Sequence, residues 1–301
     1  MKESCDPFSP IESKVNKILN IIDSLLQKVD NDLFEEIGRP KLYRIVEEGV
    51  ANNQPIKFLF MGFPCKSSNT REKVLSNLPD YGEKIALDRL NQFCTDIKST
   101  YEPGVDFVIF NDGEAFLEII ETTAAKIDLY RNEIRKLISD QIRIISLQDV
   151  LPLTNTMNLE EELCLTINRD LWEQAATPGK KLNDMALFLQ QEFEKPLETS
   201  KTLYSKICRN KAKEMLFRKD CLAKILDKQF PDHIPLSINR YNDFKKFEIK
   251  FFRSEIPQGT PWHNVLVVRK NGEMCFMKKK DAISLGFTLV ESEQKLGYFI
   301  E

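Results

Sequence analysis

Two short runs of apolar and aromatic residues constrain the fold of this chain most strongly. The first is Ile56–Phe63 and the second is Val105–Phe110, and both are almost wholly apolar. Runs this short and this apolar are typical of strands buried on both faces, as in a parallel sheet. A helical pattern from about Ile85 to Tyr101 lies between them, so the order strand, helix, strand predicts a βαβ unit.

Polar segments directly follow both apolar runs. Pro64–Thr70 follows the first run and Asn111–Gly113 follows the second. Open parallel sheets bind their ligands beyond the carboxyl ends of the strands, so both polar segments should face one crevice. A third run, Ile142–Leu147, predicts a further strand of the same sheet.

The remainder of the chain predicts a helical insertion followed by more strands. Between about Leu159 and Phe230 the pattern is long, charged and helical, which indicates an insertion or lid. Further strands are predicted at Ile234–Ile238, Phe247–Phe252, Asn264–Val268 and Glu273–Lys278. Asn271–Gly272 should join the last two as a hairpin. The sequence therefore predicts an α/β fold with a mixed, largely parallel sheet flanked by helices, and a helical insertion at about residues 155–230.

Two helical stretches precede the first apolar run. Apolar residues recur at three- and four-residue steps from Ile11 to Val29, which is the spacing of an amphipathic helix. A second stretch runs from about Asp32 to Asn52. We expect residues 1–54 to form N-terminal helices that pack on a main domain of residues 55–301, and the two parts to make one structural unit.

The charge balance argues against nucleic acid or membrane partners. Lys and Arg total 43 against 46 Asp and Glu, a net charge of -3, which gives no basic field for a nucleic acid or an anionic bilayer. The sequence has neither eighteen consecutive apolar residues nor an apolar segment behind its first charges. We therefore expect a cytoplasmic protein that does not enter a membrane.

The cysteines predict neither disulfides nor a zinc site. They are seven, an odd number, and they are scattered without a Cys-x-x-Cys pair in a chain that has only two histidines. We expect reduced thiols and no structural metal.

Cationic and hydroxyl side chains crowd into the segment after the first apolar run. Lys66, Ser67, Asn69 and Lys73 stand between a predicted strand and a helix, where such groups can converge on a phosphate or carboxylate. The segment lacks the glycines of nucleotide-binding loops. A solvated, positively charged turn is the alternative that the sequence leaves open.

Other candidate residues lie further along the chain. His263 is the best candidate for proton transfer, because a neutral imidazole titrates near pH 7. The alternative is a hydrogen-bonded core or turn residue. Asp112 is either a ligand-binding carboxylate or part of an Asp-Gly turn. Lys278 either reaches a crevice or lies on a solvated face, and Trp262 belongs either to a pocket or to the core.

Several motifs are familiar when they are taken together. They are Phe63–Asn69 (Phe-Pro-Cys-Lys-Ser-Ser-Asn), Leu78-Pro79-Asp80, Tyr101–Gly104, Asn111–Phe116 and Thr260–Val265 (Thr-Pro-Trp-His-Asn-Val). In this order and spacing they resemble the pyoverdine/dityrosine biosynthesis family of isocyanide synthases, from about Phe58 to Gly286. The chain departs from that pattern at Pro235 and Asn239, where many members have Arg and His, and at Asn111, where serine is frequent. These departures leave the substrate choice open.

The resemblance implies a Rossmann-like fold and an isonitrile synthase. Such an enzyme joins an aromatic L-amino acid, tyrosine being favoured over tryptophan, to ribulose 5-phosphate, whose ketone carbon becomes the isonitrile carbon. Related fungal proteins lead to N-formyl tyrosine instead. No metal or redox cofactor is implied. An iron- and 2-oxoglutarate-dependent oxygenase is the pathway neighbour that the family suggests, and the sequence leaves a homodimer open.

Roles for the site residues follow from this resemblance. The anion-holding role falls to Lys66, Ser67, Asn69 and Lys73. His263 would transfer protons, Asp112 would orient a polar group, and Trp262 would contact the substrate. An alternative makes Lys66 or Lys278 the amine that captures the ketone as an imine. Two other functions compete, namely a phosphosugar- or nucleotide-binding regulatory module and an inactive structural relative.

Overall fold

A five-stranded parallel sheet forms the centre of the protein. Its strands, in the spatial order β3-β2-β1-β4-β5, are β1 (Ile56–Met61), β2 (Val105–Phe110), β3 (Ile142–Ile145), β4 (Ile234–Ser237) and β5 (Phe247–Glu248). All four neighbouring pairs are parallel. The computed structural model describes residues 10–27, 33–151, 163, 166–174, 179–193, 198–239, 244–252 and 259–301. The predicted α/β fold with its buried parallel strands is confirmed.

Strand β5 is shorter than the sequence predicts. After Glu248 the chain leaves the sheet, and Ile249 forms an antiparallel bridge with Leu26, just beyond the first helix. The backbone N–H of Lys250 donates to Leu25 O at 2.9 Å. Ile249 still donates from its backbone N–H to Ser237 O of β4 at 2.8 Å, so the run passes from the sheet to the end of the first helix.

A second, four-stranded sheet stands apart from the first. Its strands, in the order β7-β6-β9-β8, are β6 (Val265–Val268), β7 (Met274–Met277), β8 (Thr288–Glu291) and β9 (Gly297–Ile300). The predicted hairpin is present, since β6 and β7 are antiparallel and Gly272 has a φ of 81° in their turn. The sequence had implied one mixed sheet. The observed central sheet is wholly parallel, and the mixed pairing belongs to this smaller sheet.

Helices from the first half of the chain cover one face of the central sheet. They are α1 (Pro10–Leu25), α2 (Arg39–Ala51), α3 (Tyr81–Thr100) and α4 (Ala124–Arg135). A π-helical turn, Phe34–Gly38, precedes α2. Successive side chains of a strand point to opposite faces, so Phe58, Phe60 and Phe107 pack against these helices. The first helix is predicted to reach Val29, which lies outside the described residues. The domain boundary at residue 54 stays a prediction.

Helices of the insertion cover the opposite face. They are α6 (Arg169–Gln174), α7 (Gly179–Glu192) and α8 (Lys201–Gln229), preceded by the short α5 (Leu147–Val150). Leu59, Val108 and Phe110 pack against α7 and α8 on this side. The predicted helical insertion is therefore confirmed where the structure describes it, and residues 155–162 lie outside that part.

A short helix, α9 (Lys279–Ser284), follows β7. Within the described residues no helix is both long and apolar enough to cross a bilayer. The described cysteines are free thiols, namely Cys65, Cys94, Cys208, Cys221 and Cys275. Cys5 and Cys164 lie outside the described residues.

Leu90 and Leu129 offer a matched test of where the core lies. Leu90 is fully buried on α3, whereas Leu129 on α4 is 51% exposed. Leu90→Ala should lower the free energy of unfolding by about 2 to 5 kcal/mol, because it deletes buried methyl groups and leaves a cavity. Leu129→Ala should change it by less than about 0.5 kcal/mol. Urea unfolding measures both, and equal losses would contradict this core.

Candidate active site

The segment after β1 folds back against the end of β2. Phe63 adopts the left-handed backbone region, with a φ of 53°, and turns the chain where β1 ends. Asn111 donates from Nδ2 to the carbonyl oxygens of Phe63 and Pro64, the latter at 3.1 Å. A Cβ on Gly113 would lie 2.5 Å from Pro64 O, so this approach requires glycine. The two polar segments that were predicted to share a crevice therefore touch each other.

Lys66 is enclosed in the protein between two carboxylates. Its Nζ lies 2.8 Å from Asp80 Oδ2 and 2.6 Å from Glu83 Oε2, and it donates to Pro261 O at 2.9 Å. Burial alone would lower the pKa of Lys66, but Asp80 and Glu83 leave it raised. The Lys66 side chain has no exposed surface. Lys66 thus joins the segment after β1 to the start of α3 and to the turn before β6.

Glu83 lies at the centre of this cluster, in the first turn of α3. The backbone N–H of Asp80 donates to Glu83 Oε2 at 2.9 Å, and Asp80 in turn caps the helix through Gly82 N at 2.8 Å. This capping box explains why α3 begins at Tyr81, earlier than the apolar pattern predicts. Burial raises the pKa of Glu83 to about 7 against the opposing charge of Lys66.

A 3₁₀ turn, Pro261–His263, presents the candidate histidine. The backbone N–H of Ser67 donates to Trp262 O at 2.8 Å. The buried indole of Trp262 packs against the ring of Phe63, with the ring centroids 5.0 Å apart. Ser67 and Trp262 therefore hold the turn in place, and His263 projects from a fixed backbone.

Glu192, at the end of α7, joins His263 to Lys73. Its Oε1 lies 3.1 Å from His263 Nδ1, and its Oε2 accepts from Lys73 Nζ. Burial alone would raise the pKa of Glu192, but the charge and hydrogen bond of His263, together with Lys73, lower it to about 2. A carboxylate at Nδ1 orients the imidazole and leaves Nε2 to exchange protons with a substrate.

Phe188, one helical turn before Glu192 on α7, also contacts His263 and Lys73. Its ring meets the imidazole of His263 edge to face, with centroids 5.1 Å apart, and Lys73 Nζ lies 5.2 Å from the ring centroid. Neither Phe188 nor Glu192 is predicted from the sequence as a site residue. Glu192 is 71 residues from His263 and 119 from Lys73, so no local spacing could have linked them.

Asn69 and Lys278 also contact the end of α7, through Gln191. Asn69 Nδ2 donates to Gln191 O at 3.5 Å, and Lys278 Nζ donates to Gln191 Oε1 at 2.9 Å. Asn69 also accepts from Glu72 N at 2.9 Å, and its own backbone N–H donates to Ser67 Oγ at 3.2 Å. These contacts tie α7 of the insertion to the segment after β1 and to the end of β7.

Asp112 lies at the end of β2, within electrostatic reach of His263. Burial raises the pKa of Asp112, while Lys219, Lys246 and His263 oppose that rise. The thiol of Cys65 lies nearby, and burial together with the charges of Asp112 and Glu192 raises its pKa to about 12. A thiol with such a pKa is not a nucleophile at neutral pH.

The predicted site residues thus fall into two groups. Lys73, Asn69, Lys278 and His263 meet at the end of α7, with Asp112 close to the histidine, whereas Lys66 is enclosed away from solvent. In the described part of the chain no three His, Cys, Asp or Glu side chains are grouped as metal ligands. The chemical roles assigned to these residues stay predictions.

Glu192→Gln should lower the free energy of unfolding by an amount that depends on pH. Because the folded pKa of about 2 lies below the ordinary 4.5, the Glu192 contacts stabilise the protein fully above about pH 4.5 and are lost as pH falls toward 2. At pH 7 the variant should lose about 3 kcal/mol of unfolding free energy, and more than half of that difference should be gone by pH 3.

The control for this measurement is Glu173→Gln, which removes an exposed ion pair to Lys213 on the same insertion. It should cost less than about 1 kcal/mol. Urea unfolding from pH 7 to pH 3 gives both values. A loss for Glu192→Gln that does not change with pH would contradict the ionised contact.

Comparison with known proteins identifies the family of this chain. The family model described as pyoverdine/dityrosine biosynthesis protein matches residues 46–290. L-tryptophan isonitrile synthase AmbI2 of Fischerella ambigua is 29% identical over 270 residues, which are 84% of this chain and 80% of that protein. An L-tyrosine isonitrile synthase of Pseudomonas aeruginosa is 27% identical over 277 residues, 85% of this chain and 81% of that protein.

A solved structure is similar over nearly the whole length of both chains. The crystal structure of the PvcA protein from Pseudomonas aeruginosa superposes with a TM-score of 0.84 at 25% identity, and the match covers 95% of this chain and 99% of that one. Since the family model spans most of the sequence, the chain belongs to the pyoverdine/dityrosine biosynthesis family.

Proposed function

We propose that this protein is an isonitrile synthase that converts the amino group of an aromatic L-amino acid to an isocyanide. L-tyrosine is the favoured substrate, L-tryptophan is the second candidate, and ribulose 5-phosphate is the carbon donor. The observation that carries this proposal is a histidine oriented by a buried carboxylate, within electrostatic reach of Asp112 at the carboxyl end of a parallel strand.

Relatives with named activities support the chemistry. Those compared above are an L-tryptophan and an L-tyrosine isonitrile synthase, so an aromatic amino acid is the natural choice for this chain. Each aligns with more than four-fifths of this chain. The sugar phosphate donor follows from the sequence resemblance, and the label experiment described below tests it directly.

The reaction needs a group that moves protons more than once. An imine between the amine and the sugar ketone must form, and proton transfers and carbon–carbon cleavages must then release the other sugar carbons. His263 suits this work because Glu192 holds its Nδ1 and leaves Nε2 for the substrate. Asp112, which is partly exposed at the end of β2, can accept a hydrogen bond from a hydroxyl or amine of the substrate.

Lys66 suits a structural role better than imine formation. An imine-forming lysine needs a lowered pKa and access to the substrate, whereas Lys66 has a raised pKa and no exposed surface. Lys278, at the rim of the site, donates to Gln191. We therefore propose that Lys66 positions the His263 turn through Pro261.

A regulatory module and an inactive relative are less favoured. A module that only binds a phosphosugar has no need of a histidine held by a carboxylate. An inactive relative has no reason to keep such a pair, and here Glu192 contacts both His263 and Lys73. Both alternatives predict a folded protein that gives no isonitrile.

The first experiment follows an isotopic label from the sugar to the product. The purified protein is incubated with ribulose 5-phosphate labelled at the ketone carbon and with tyrosine and tryptophan in competition. Mass spectrometry should detect the label in the isonitrile of one amino acid, tyrosine being expected. The absence of labelled product with either amino acid, from folded protein that binds the sugar phosphate, would reject the proposal.

The two histidines of this chain provide the matched variants for the same assay. His263→Ala should lower turnover by about 100-fold or more, the usual contribution of a general acid or base. His233→Ala should leave turnover within about twofold, because His233 lies next to Phe230 and Asp106, and Asp106 is in the first half of β2. Normal turnover of His263→Ala would remove this histidine from the mechanism.

A further inference from the structure

We propose that Arg218 and Arg131 are positioning residues, which together hold Asp112 in place for the substrate. Both arginines act on the 3₁₀ turn Gly113–Phe116, which directly follows Asp112. This inference rests on the proposed function, in which Asp112 accepts a hydrogen bond from the substrate, and it adds two residues that lie outside the site described above. It follows from the hydrogen bonds of the turn and from the side chain of Asp112, which takes no part in them.

Asp112 occupies the capping position of the turn, yet its side chain does not cap it. An aspartate at this position ordinarily accepts a hydrogen bond from a backbone N–H of the turn. The Asp112 side chain makes no such bond, and its backbone has a φ of -90° and a ψ of 5°, a sparsely populated region where many active-site residues lie. Among the described residues, no other side chain donates to its carboxylate, which is partly exposed. The carboxylate is therefore available to a ligand, and other groups must fix the backbone around it.

Arg218, on α8, is joined to Asp112 through one residue of the turn. Arg218 Nη1 donates to Ala115 O at 2.8 Å, and the backbone N–H of Ala115 donates to Asp112 O at 3.1 Å. Ala115 has no exposed surface, so water has no access to it. Two successive hydrogen bonds thus connect a guanidinium of the insertion to the main chain of Asp112.

Arg131 holds the same turn from α4, which packs on the other face of the central sheet. Its Nη1 donates to Glu114 Oε1 at 2.8 Å. Gly113, the residue between Asp112 and Glu114, packs against the segment after β1 so closely that a Cβ would not fit. Each of the three residues after Asp112 is therefore held by a different part of the protein.

The surroundings of the arginines fit positioning better than stabilisation. The Arg218 side chain is 11% exposed and the Arg131 side chain 10%. Glu214 and Glu118 accept from Arg218 at 2.7 and 3.2 Å. A buried ion pair is weak evidence of a stabilising role, because apolar residues of similar volume often replace it without loss. A guanidinium adds direction, since its planar fork binds several acceptors at fixed angles. Arg218 thereby fixes the turn relative to α8.

Direct contacts relate the turn to the segment that carries His263. Asn111, the residue before Asp112, donates to Pro64 O at 3.1 Å. Three residues later in the same segment, the backbone N–H of Ser67 donates at 2.8 Å to the carbonyl oxygen of the residue before His263. A shift of the turn would therefore move Asp112 relative to the histidine. A misplacement of about 1 Å can lower a rate by about 100-fold.

A double-mutant cycle on turnover tests the positioning role. Arg218→Met and Arg131→Met should each lower kcat/KM by about tenfold or more, because a misplaced carboxylate loses its contact with the substrate. Each substitution is then repeated in an Asp112→Ala protein, whose own kcat/KM should be at least as low. There the arginine substitutions should cost less than about twofold, because their effect passes through Asp112. Losses that multiply in full would overturn the positioning role.

Arg209→Met is the matched control for the cycle. Arg209 is an exposed arginine of α8 that contacts Asn183 and not the turn. Its substitution should leave kcat/KM within about twofold in both backgrounds. Arg218→Lys is the milder variant, which keeps the charge and loses the planar fork, and its kcat/KM should lie between those of Arg218→Met and the wild type. A loss for Arg209→Met as large as that for Arg218→Met would contradict a role specific to the turn.

Binding measurements separate this inference from the proposed reaction. L-tyrosine and ribulose 5-phosphate are titrated separately into the same proteins by calorimetry. Asp112→Ala should raise the Kd of one of these ligands, and Arg218→Met and Arg131→Met should raise the Kd of that same ligand, with no further rise in the Asp112→Ala protein. If the label assay yields no isonitrile while this pattern holds, the reaction is rejected and the positioning role stands. If isonitrile forms and the losses multiply, the positioning role is rejected and the reaction stands.

Discussion

The buried ion cluster of Lys66, Asp80 and Glu83 is the interaction on which the site depends. It joins the segment after β1, the start of α3 and, through Pro261, a turn that lies 195 residues further along the chain. Removing one partner of such a cluster leaves an uncompensated charge inside the protein, so these three segments cannot separate without a large loss of stability. His263 stands on the third segment. Its backbone position is therefore set by a charge cluster that is almost fully buried.

The insertion supplies the groups that complete this fixed framework. Glu192 reaches His263 and Lys73 from the end of α7. The framework and the insertion thus have different tasks in our proposal. The framework holds the histidine and Asp112, and the insertion orients the histidine. Changes in the insertion would then alter the orientation of the histidine without disturbing the buried cluster.

Much of the fold, but less of the site, can be predicted from the sequence. Strand β2 was predicted with its observed bounds because its apolar run is buried on both faces, whereas β8 and β9 were missed because most of their side chains are exposed or only partly buried. His263 carries a visible motif. Glu192 does not, because a single carboxylate on a charged helix acquires its role only from residues far away in the chain. The cations of the segment after β1 resemble an anion site in sequence, and only the structure reveals that Lys66 is neutralised internally.

The free energy of unfolding of Lys66→Met tests this account most directly. Urea unfolding should show a loss of about 3 to 5 kcal/mol, because two buried carboxylates lose their cation. Lys84→Met, which removes a partly exposed ion pair with Asp88 on α3, should lose less than about 1 kcal/mol. A Lys66→Met protein that keeps wild-type stability but loses turnover would contradict the account, since Lys66 would then act in the chemistry and not in the framework.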